Sequence, residues 1–166
     1  WIGGDLDGNP NVGAETIEDA LERARRLARS LYREELRALG AAWGMSTTVI
    51  GSVAERADSD EPFRAILVEI WERLGADEYA DGARLVADLD DLDTLLRAHR
   101  GKRVADGRLA DLRARARTFG LHLAKLDVRV HASAIHAPDD RLRATLGAAA
   151  RAQVRHGRGA VDRLIV

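Results

Sequence analysis

Hydrophobic residues recur at helical spacing over most of the chain. From residue 14 to about residue 43, apolar positions repeat every three to five residues between arginines and glutamates, which predicts one long amphipathic helix. Acidic residues and a proline at positions 58–62 predict the start of a second helix, which Gly75 ends. The other predicted helices cover residues 85–99, residues 109–119 with Asp106 as the N-cap, and residues 142–154 after Pro138 and two aspartates.

The apolar period changes from helical to alternating between residues 121 and 132. The even positions from 124 to 130 are apolar, and the odd positions carry Lys125, Asp127, Arg129 and His131. A strand with one solvated face explains this pattern. The alternative is a strand of a parallel barrel whose charged face points into a polar reaction chamber. Residues 162–166 predict a further strand, and residues 46–52 are either a short extended stretch or only a connection.

The first twelve residues, called the opening segment below, read WIGGDLDGNPNV. Glycine, aspartate, asparagine and proline together predict a strand end near residues 1–5 that leads into a shaped polar loop. A plain helix start explains this composition as well. A calcium loop does not, although Asp5, Asp7 and Asn9 have the right spacing. An EF-hand needs glycine where Pro10 stands and glutamate where Thr16 stands.

The composition indicates one domain with an aliphatic core. The chain has 166 residues, of which 46% are hydrophobic and 4% aromatic. Its 26 basic and 27 acidic residues nearly balance, which argues against nucleic acid or a membrane as the main partner. It contains no cysteine, so disulfides and thiolate metal sites are excluded and a cytoplasmic location is the default expectation.

Both ends of the chain suggest that sequence is missing. The chain begins at Trp1 without an initiator methionine, and it stops at Val166 inside a predicted strand. We therefore expect an internal fragment of a longer protein.

The opening segment resembles the W-[IM]-G-G-D-R-D-G-N-P-N-V segment of the phosphoenolpyruvate carboxylase family. Eleven of its twelve positions fit, and Leu6 stands where better-known members carry arginine. Residues 117–132 are similar to the family segment F-G-x-x-L-x-x-[IL]-D-[IV]-R-x-x, and residues 61–64 and 93–96 also fit. Residues 162–166 look like the strand that precedes the family's metal-site half. The short stretch between Ala132 and Arg163 suggests a compact bacterial branch.

The resemblance implies a fold class for the chain. The expected fold is α/β but predominantly helical, as part of a helix-rich (β/α)8 barrel. About three short barrel strands are expected, near residues 1–5, 121–131 and 162–166, with long helices between them. Residues 1–166 then form a single fragment of the barrel domain, without a complete second domain. The resemblance also implies a cytoplasmic homotetramer that needs Mg²⁺ or Mn²⁺, with the metal ligands outside this fragment.

Site residues follow from the same resemblance, position by position. Trp1 matches a tryptophan in the hydrophobic pocket thought to hold carbon dioxide near the methylene carbon of the substrate. Arg129 matches an arginine turned toward the phosphate and carboxylate of the substrate. Loop support is expected from Asp5, Asp7 and Asn9. The residues expected to line the chamber beside Arg129 are Lys125, Asp127 and His131.

Other parts of the family's machinery are absent from the chain. The catalytic histidine lies in a T-A-H-P-T motif expected upstream of Trp1, and none of the five histidines has that setting. The metal carboxylates and the G-Y-S-D-S-x-K-D signature are expected downstream of Val166. We therefore expect no catalytic residue within the fragment, and no activity from the fragment alone.

The resemblance implies carboxylation of phosphoenolpyruvate by bicarbonate. Bicarbonate attacks the phosphate to give carboxyphosphate and the pyruvate enolate, and carbon dioxide then joins the enolate to form oxaloacetate. This reaction replenishes the tricarboxylic acid cycle. Two other hypotheses remain open at the level of sequence. One is a non-enzymatic helical scaffold or oligomerisation module, and the other is a different barrel enzyme that acts on a small anionic substrate.

Overall fold

A computed structural model describes residue 9 and residues 11–43, 62–98 and 100–166. Regular structure in these ranges is mainly helical. The helices are α1 (Ala14–Ala42), α2 (Pro62–Ala76), α3 (Gly82–Ala98), α4 (Lys102–Val104), α5 (Ala110–Phe119), α6 (Ala132–His136) and α7 (Asp140–His156). The strands are β1 (Asp127–Arg129) and β2 (Arg163–Ile165).

The chain divides into two compact units. The first contains the described residues of Trp1–Leu27 together with Leu121–Val166, and the second is Ala28–Gly120. The division falls inside α1, which contributes residues to both units. The prediction that residues 1–166 belong to one larger domain stays a prediction.

In the first unit, β1 and β2 form a parallel pair connected through α6 and α7. Asp127 lies opposite Arg163, and Arg129 lies opposite Ile165. The pairing extends one step beyond each end of β1. The Leu126 amide donates to the Ala160 carbonyl at 2.8 Å, and the Val130 amide donates to the Ile165 carbonyl at 3.0 Å. Parallel strands need a crossover connection, which the two helices provide.

One face of β1 belongs to the hydrophobic core of the first unit. Leu126, Val128 and Val130 are buried there, in agreement with the alternating pattern. The first turns of α1 and the buried face of α7 cover them. The other members of this core are Ile17, Leu21, Leu142, Ala152, Ala160 and Val161. Side chains at odd positions of β1 therefore lie on the opposite face.

The predicted fold class is wrong for the described residues. They contain two strands of three residues each, in one two-stranded sheet, and the rest of their regular structure is helical. This is a helical fold with a short parallel strand pair, instead of a barrel segment with about three strands. The strand predicted near residues 1–5 and the stretch at 46–52 lie outside the described residues.

A turn explains why β1 is shorter than the predicted strand at 121–131. Gly120, which ends α5, has φ 52°, and Leu123 has φ 59°, so neither residue is extended. The Ala124 amide donates to the His122 carbonyl at 2.6 Å, which closes a tight turn. The alternating sequence therefore becomes a strand only from Asp127 onward.

The second unit is held by helix packing and by buried carboxylates with cationic partners. Helix α3 packs against both α2 and α5. On α3, Asp88 accepts from the Tyr79 hydroxyl at 2.8 Å and from Arg73 at 2.5 Å. Asp93 accepts from Arg113 of α5 at 2.9 Å. Buried carboxylates need such partners, so these contacts specify which helix faces meet.

The predicted N-cap role of Asp106 is wrong. Asp106 lies in a wide helical turn, Ala105–Leu109, that joins α4 to α5, and Gly107 interrupts the helical geometry there with φ −99° and ψ −123°. Neither α5 nor this turn has a side-chain cap. The Asp106 carboxylate instead forms an ion pair of 2.8 Å with Arg97. Because the wide turn continues directly into α5, the helix has no free first turn for Asp106 to cap.

The start of α7 agrees with its sequence signal. Asp139 is the N-cap, and its Oδ1 accepts a hydrogen bond of 2.7 Å from the Leu142 amide. Asp140 follows in the first turn, where a negative charge interacts favourably with the helix dipole.

Replacing Asp139 with alanine removes this cap. We expect Asp139→Ala to destabilise the first turn of α7 by about 1 kcal/mol, or about fivefold in its local opening equilibrium. Hydrogen–deuterium exchange of the peptide that begins at α7, measured by mass spectrometry, tests the change. Arg143→Ala is the matched control, because Arg143 is an exposed residue near the start of α7 whose side chain pairs with Asp140 and caps no backbone group. Equal exchange in the two variants would contradict the role of Asp139.

The turn before β1 contains His122, whose protonation is expected to make the stability of the fold depend on pH. Burial lowers the pKa of His122 below its ordinary value of 6.5, the Lys125 ammonium lowers it further, and Asp162 partly opposes them. The folded protein therefore binds this proton less tightly than the unfolded chain does. Protonation of His122 destabilises the fold as the pH falls through 6.5.

Modification by diethyl pyrocarbonate measures this pKa, because only neutral imidazole reacts. We expect the rate at His122, followed by peptide mass spectrometry, to reach half its maximum below pH 6.5. Lys125→Gln should shift this midpoint upward, because the repulsive charge is removed. A wild-type midpoint at or above 6.5 would refute the assignment.

Candidate functional site

The exposed face of β1 presents Arg129, the residue predicted to bind substrate. Arg129 is the last residue of β1, and the paired backbone on both sides of it fixes its Cα position. Its side chain is exposed, and it makes no hydrogen bond or ion pair with the other described residues. A guanidinium whose donors bind none of the other described residues suits a planar or tetrahedral anion that accepts two hydrogen bonds at once.

Two of the other predicted chamber residues have partners within the first unit. Lys125 donates to Asp162 at 2.5 Å, and this hydrogen bond holds the pKa of the Asp162 carboxyl below its usual range. His131 is the N-cap of α6, where its Nδ1 accepts from the Ser133 amide at 3.2 Å. Asp127 is half-buried at the start of β1. Lys125 and His131 thus stabilise the elements on either side of β1.

The structure describes only the end of the opening segment. Trp1, Asp5 and Asp7 lie outside the described residues, so their roles stay predictions. Asn9 forms a turn in which its Oδ1 accepts from the Asn11 amide at 2.9 Å and its carbonyl accepts from the Val12 amide at 3.2 Å. Val12 is buried. The segment therefore enters α1 through a closed turn whose last side chain joins the interior.

Arg141 contacts this turn and was missed by the sequence analysis. Its Nη2 donates to the Asn9 carbonyl at 2.7 Å and to the Val12 carbonyl at 2.6 Å, and its Nε lies 3.2 Å from the latter oxygen. One signal in the sequence points to it. Arg141 lies in the first turn of α7, where the helix dipole disfavours a positive charge. A cation in that position indicates a specific acceptor elsewhere.

A groove on the first unit is a weaker candidate for a ligand-binding site than the exposed face of β1. It has a volume of about 1250 Å³ and lies between α1, the turn before β1 and the second half of α7. Much of the charge along its walls is paired across the groove. Arg151 forms an ion pair of 2.7 Å with Glu18, and Arg155 lies 4.0 Å from Glu22. These pairs leave little net charge to attract an ionic ligand.

The described ranges contain no group of three His, Asp or Glu side chains arranged to hold a metal ion. They also contain no helix that is long and apolar enough to cross a membrane.

Comparison with known proteins identifies the family. A sequence model of the family described as phosphoenolpyruvate carboxylase matches residues 1–153 of the chain. This range includes the opening segment, β1, Arg129 and Arg141.

Curated relatives agree with the family match. The chain is 37% identical over 159 residues to the phosphoenolpyruvate carboxylase of Azoarcus sp. (strain BH72), covering 78% of this chain and 17% of that protein. It is 40% identical over 157 residues to that of Mycolicibacterium paratuberculosis, with the same coverage of 78% and 17%. It is 37% identical over 168 residues to that of Nitrosomonas europaea, covering 82% and 18%.

The chain thus spans less than a fifth of the length of these relatives. The family match extends over nearly the whole chain, however, and the relatives match along most of it. The chain belongs to the phosphoenolpyruvate carboxylase family.

Proposed function

We propose that this chain is part of an enzyme that joins bicarbonate to phosphoenolpyruvate and releases oxaloacetate and phosphate. Membership of the family supports this proposal. The structural observation that carries it is Arg129, an exposed guanidinium that the β1–β2 pairing positions and that has no partner among the described residues. Phosphoenolpyruvate carries a phosphate and a carboxylate, and both are ligands that such a guanidinium binds well.

The reaction has two stages, and both create charge that a fixed cation stabilises. Attack of a bicarbonate oxygen on phosphorus breaks the bond between phosphorus and the enol oxygen, giving carboxyphosphate and the pyruvate enolate. Carboxyphosphate separates into carbon dioxide and phosphate, and the enolate carbon attacks carbon dioxide to give oxaloacetate. Arg129 holds the anionic groups in place during these steps and offsets their charge. The pairs made by Lys125 and His131 occupy those side chains, so the proposal assigns substrate contact on this strand to Arg129.

In the proposal, Trp1 shields the enolate from water, whereas Arg129 binds the anionic groups of the substrate. The enolate is lost if water or an acid protonates its carbon, which gives pyruvate. An indole ring beside that carbon excludes water and forms an apolar surface for carbon dioxide. Asp5, Asp7 and Asn9 then support the loop that holds Trp1.

The proposal extends to the complete enzyme. Family membership supports a divalent metal requirement, and we propose Mg²⁺ or Mn²⁺ as the ion. We propose that the ligands of this ion lie in the part of the complete enzyme outside this chain. We also propose that the complete protein is a cytoplasmic homotetramer and that its oxaloacetate replenishes the tricarboxylic acid cycle.

Arg129→Ala in the complete enzyme tests the central assignment. We expect turnover to fall by about 10²-fold or more, because one fixed charge no longer stabilises the transition state. Oxaloacetate formation from phosphoenolpyruvate and bicarbonate is measured by coupling to malate dehydrogenase and following NADH. Arg129→Lys should recover only part of the loss, because an ammonium cannot bind an anion in the same two-point geometry.

Arg143→Ala is the matched control for Arg129→Ala. Arg143 is an exposed arginine of α7 that pairs with Asp140 in its own helix. Its loss should leave the kinetics near wild type. If Arg129→Ala behaves like this control, the assignment of Arg129 is wrong, and if the wild-type enzyme forms no oxaloacetate, the proposed reaction is wrong.

Trp1→Ala tests the apolar wall. We expect this variant to release phosphate faster than it forms oxaloacetate, because water reaches the enolate and pyruvate accumulates. Assays with lactate dehydrogenase and with malate dehydrogenase measure the two products separately. Trp1→Phe, which keeps an apolar ring, should retain more carboxylation than Trp1→Ala, and an unchanged product ratio in Trp1→Ala would contradict the role.

A further inference from the structure

Arg141 links two parts of the first unit that the proposed function uses. It lies on α7, in the crossover that follows β1, and its guanidinium reaches back to the end of the opening segment. The contact joins residues separated by 129 and 132 positions in the chain. One side chain thus connects the described end of the opening segment, at Asn9 and Val12, to the β1–α7–β2 crossover that carries Arg129.

Arg141 holds two backbone carbonyls, those of Asn9 and Val12, and this contact is called the clamp below. The two acceptors are carbonyls at either end of one turn, and a single Nη2 lies 2.7 Å from the first and 2.6 Å from the second. The turn is closed from within by Asn9, so its two carbonyls keep a constant separation. A guanidinium matches such a pair of acceptors, because its donors have a rigid planar arrangement.

The clamp is anchored at both ends. On one side, Val12 is buried, with 6% of its surface exposed. On the other, Thr145 is fully buried one turn further along α7, and its hydroxyl donates to the Arg141 carbonyl at 2.8 Å. The position also has an electrostatic cost, since a cation in the first turn opposes the helix dipole. The two backbone acceptors offset that cost.

We propose that Arg141 is a positioning residue that holds the opening segment in register with the strand bearing Arg129. This inference rests on the proposed function. When the clamp is lost, the opening segment shifts or loosens while Arg129 keeps its place on β1. Phosphoenolpyruvate then still binds and transfers its phosphate, but the enolate is less well shielded. Protonation of the enolate carbon gives pyruvate, carbon dioxide is rehydrated to bicarbonate, and the net reaction is hydrolysis of phosphoenolpyruvate.

The test compares Arg141→Gln, Arg141→Lys and Arg143→Ala in the complete enzyme. For Arg141→Gln we expect the ratio of pyruvate to oxaloacetate to rise about tenfold, because a displacement of about 1 Å outside the reacting groups can change rates by 10²-fold. The KM for phosphoenolpyruvate should stay near wild type. Arg141→Lys should give an intermediate ratio, since the ammonium keeps a positive charge near the carbonyls but has a shorter side chain and cannot supply the second contact that Nε makes with the Val12 carbonyl.

A local measurement distinguishes positioning from general destabilisation. Hydrogen–deuterium exchange should increase in the peptide covering residues 9–16 of Arg141→Gln and stay at the wild-type level in α3 and α5. Arg143→Ala, two residues along the same helix, should change neither the product ratio nor the exchange. If Arg141→Gln does not fold, Arg141→Lys alone decides, because a raised pyruvate fraction at wild-type KM supports the inference and a wild-type fraction overturns it.

The two proposals fail in different ways. A wild-type enzyme that forms no oxaloacetate overturns the proposed function. An active wild-type enzyme whose Arg141 variants keep the wild-type product ratio overturns the positioning role alone. A rise in KM with an unchanged product ratio also overturns it, because that result assigns Arg141 to substrate binding.

Discussion

Leu126, Val128 and Val130 are buried on one side of β1 beneath α1 and α7, and the candidate site depends on that one-sided burial. Each such aliphatic side chain contributes about 1.5–3 kcal/mol when it leaves water. A slip of one residue would expose all three of them and bury Arg129 without a partner. The hydrophobic effect therefore determines which way the guanidinium faces, and the parallel pairing with β2 fixes its position along the strand.

Several arginines among the described residues bind carboxylates or backbone carbonyls inside the fold. In the second unit, Arg73 and Arg113 satisfy buried carboxylates on α3, and Arg29 donates at 2.7 Å to each of the Leu74 and Gly75 carbonyls at the end of α2. In the first unit, Arg141 binds the carbonyls of a turn. Arg129 is a functional candidate because the strand pairing fixes its position on the exposed face of β1 and it has no partner among the described residues.

The candidate site combines elements that are far apart in sequence. The opening segment and β1 carry the family motifs, but these motifs do not show how the two segments are held together in the fold. In the first unit, the α1 side chains Ile17 and Leu21 share a core with β1, and Arg141 binds the turn before α1. Hydrophobic packing and the Arg141 hydrogen bonds thus both hold the start of α1 in the first unit. Family membership disfavours a purely structural scaffold.

The sequence alone determined the family, the helices and the orientation of β1. Amphipathic periodicity is a local property, so α1, α2, α3 and α7 lie close to their predicted bounds, and alternation correctly separates Val128 from Arg129. The tertiary structure decided what depends on distant residues. A strand exists only where a partner pairs with it, so β1 is limited to three residues, and the turn with left-handed backbone at Leu123 delays the start of the strand. Asp106 pairs with Arg97 of α3 instead of capping its own helix. The first-turn position of Arg141 indicates an acceptor elsewhere, but no local pattern identifies an acceptor more than a hundred residues away.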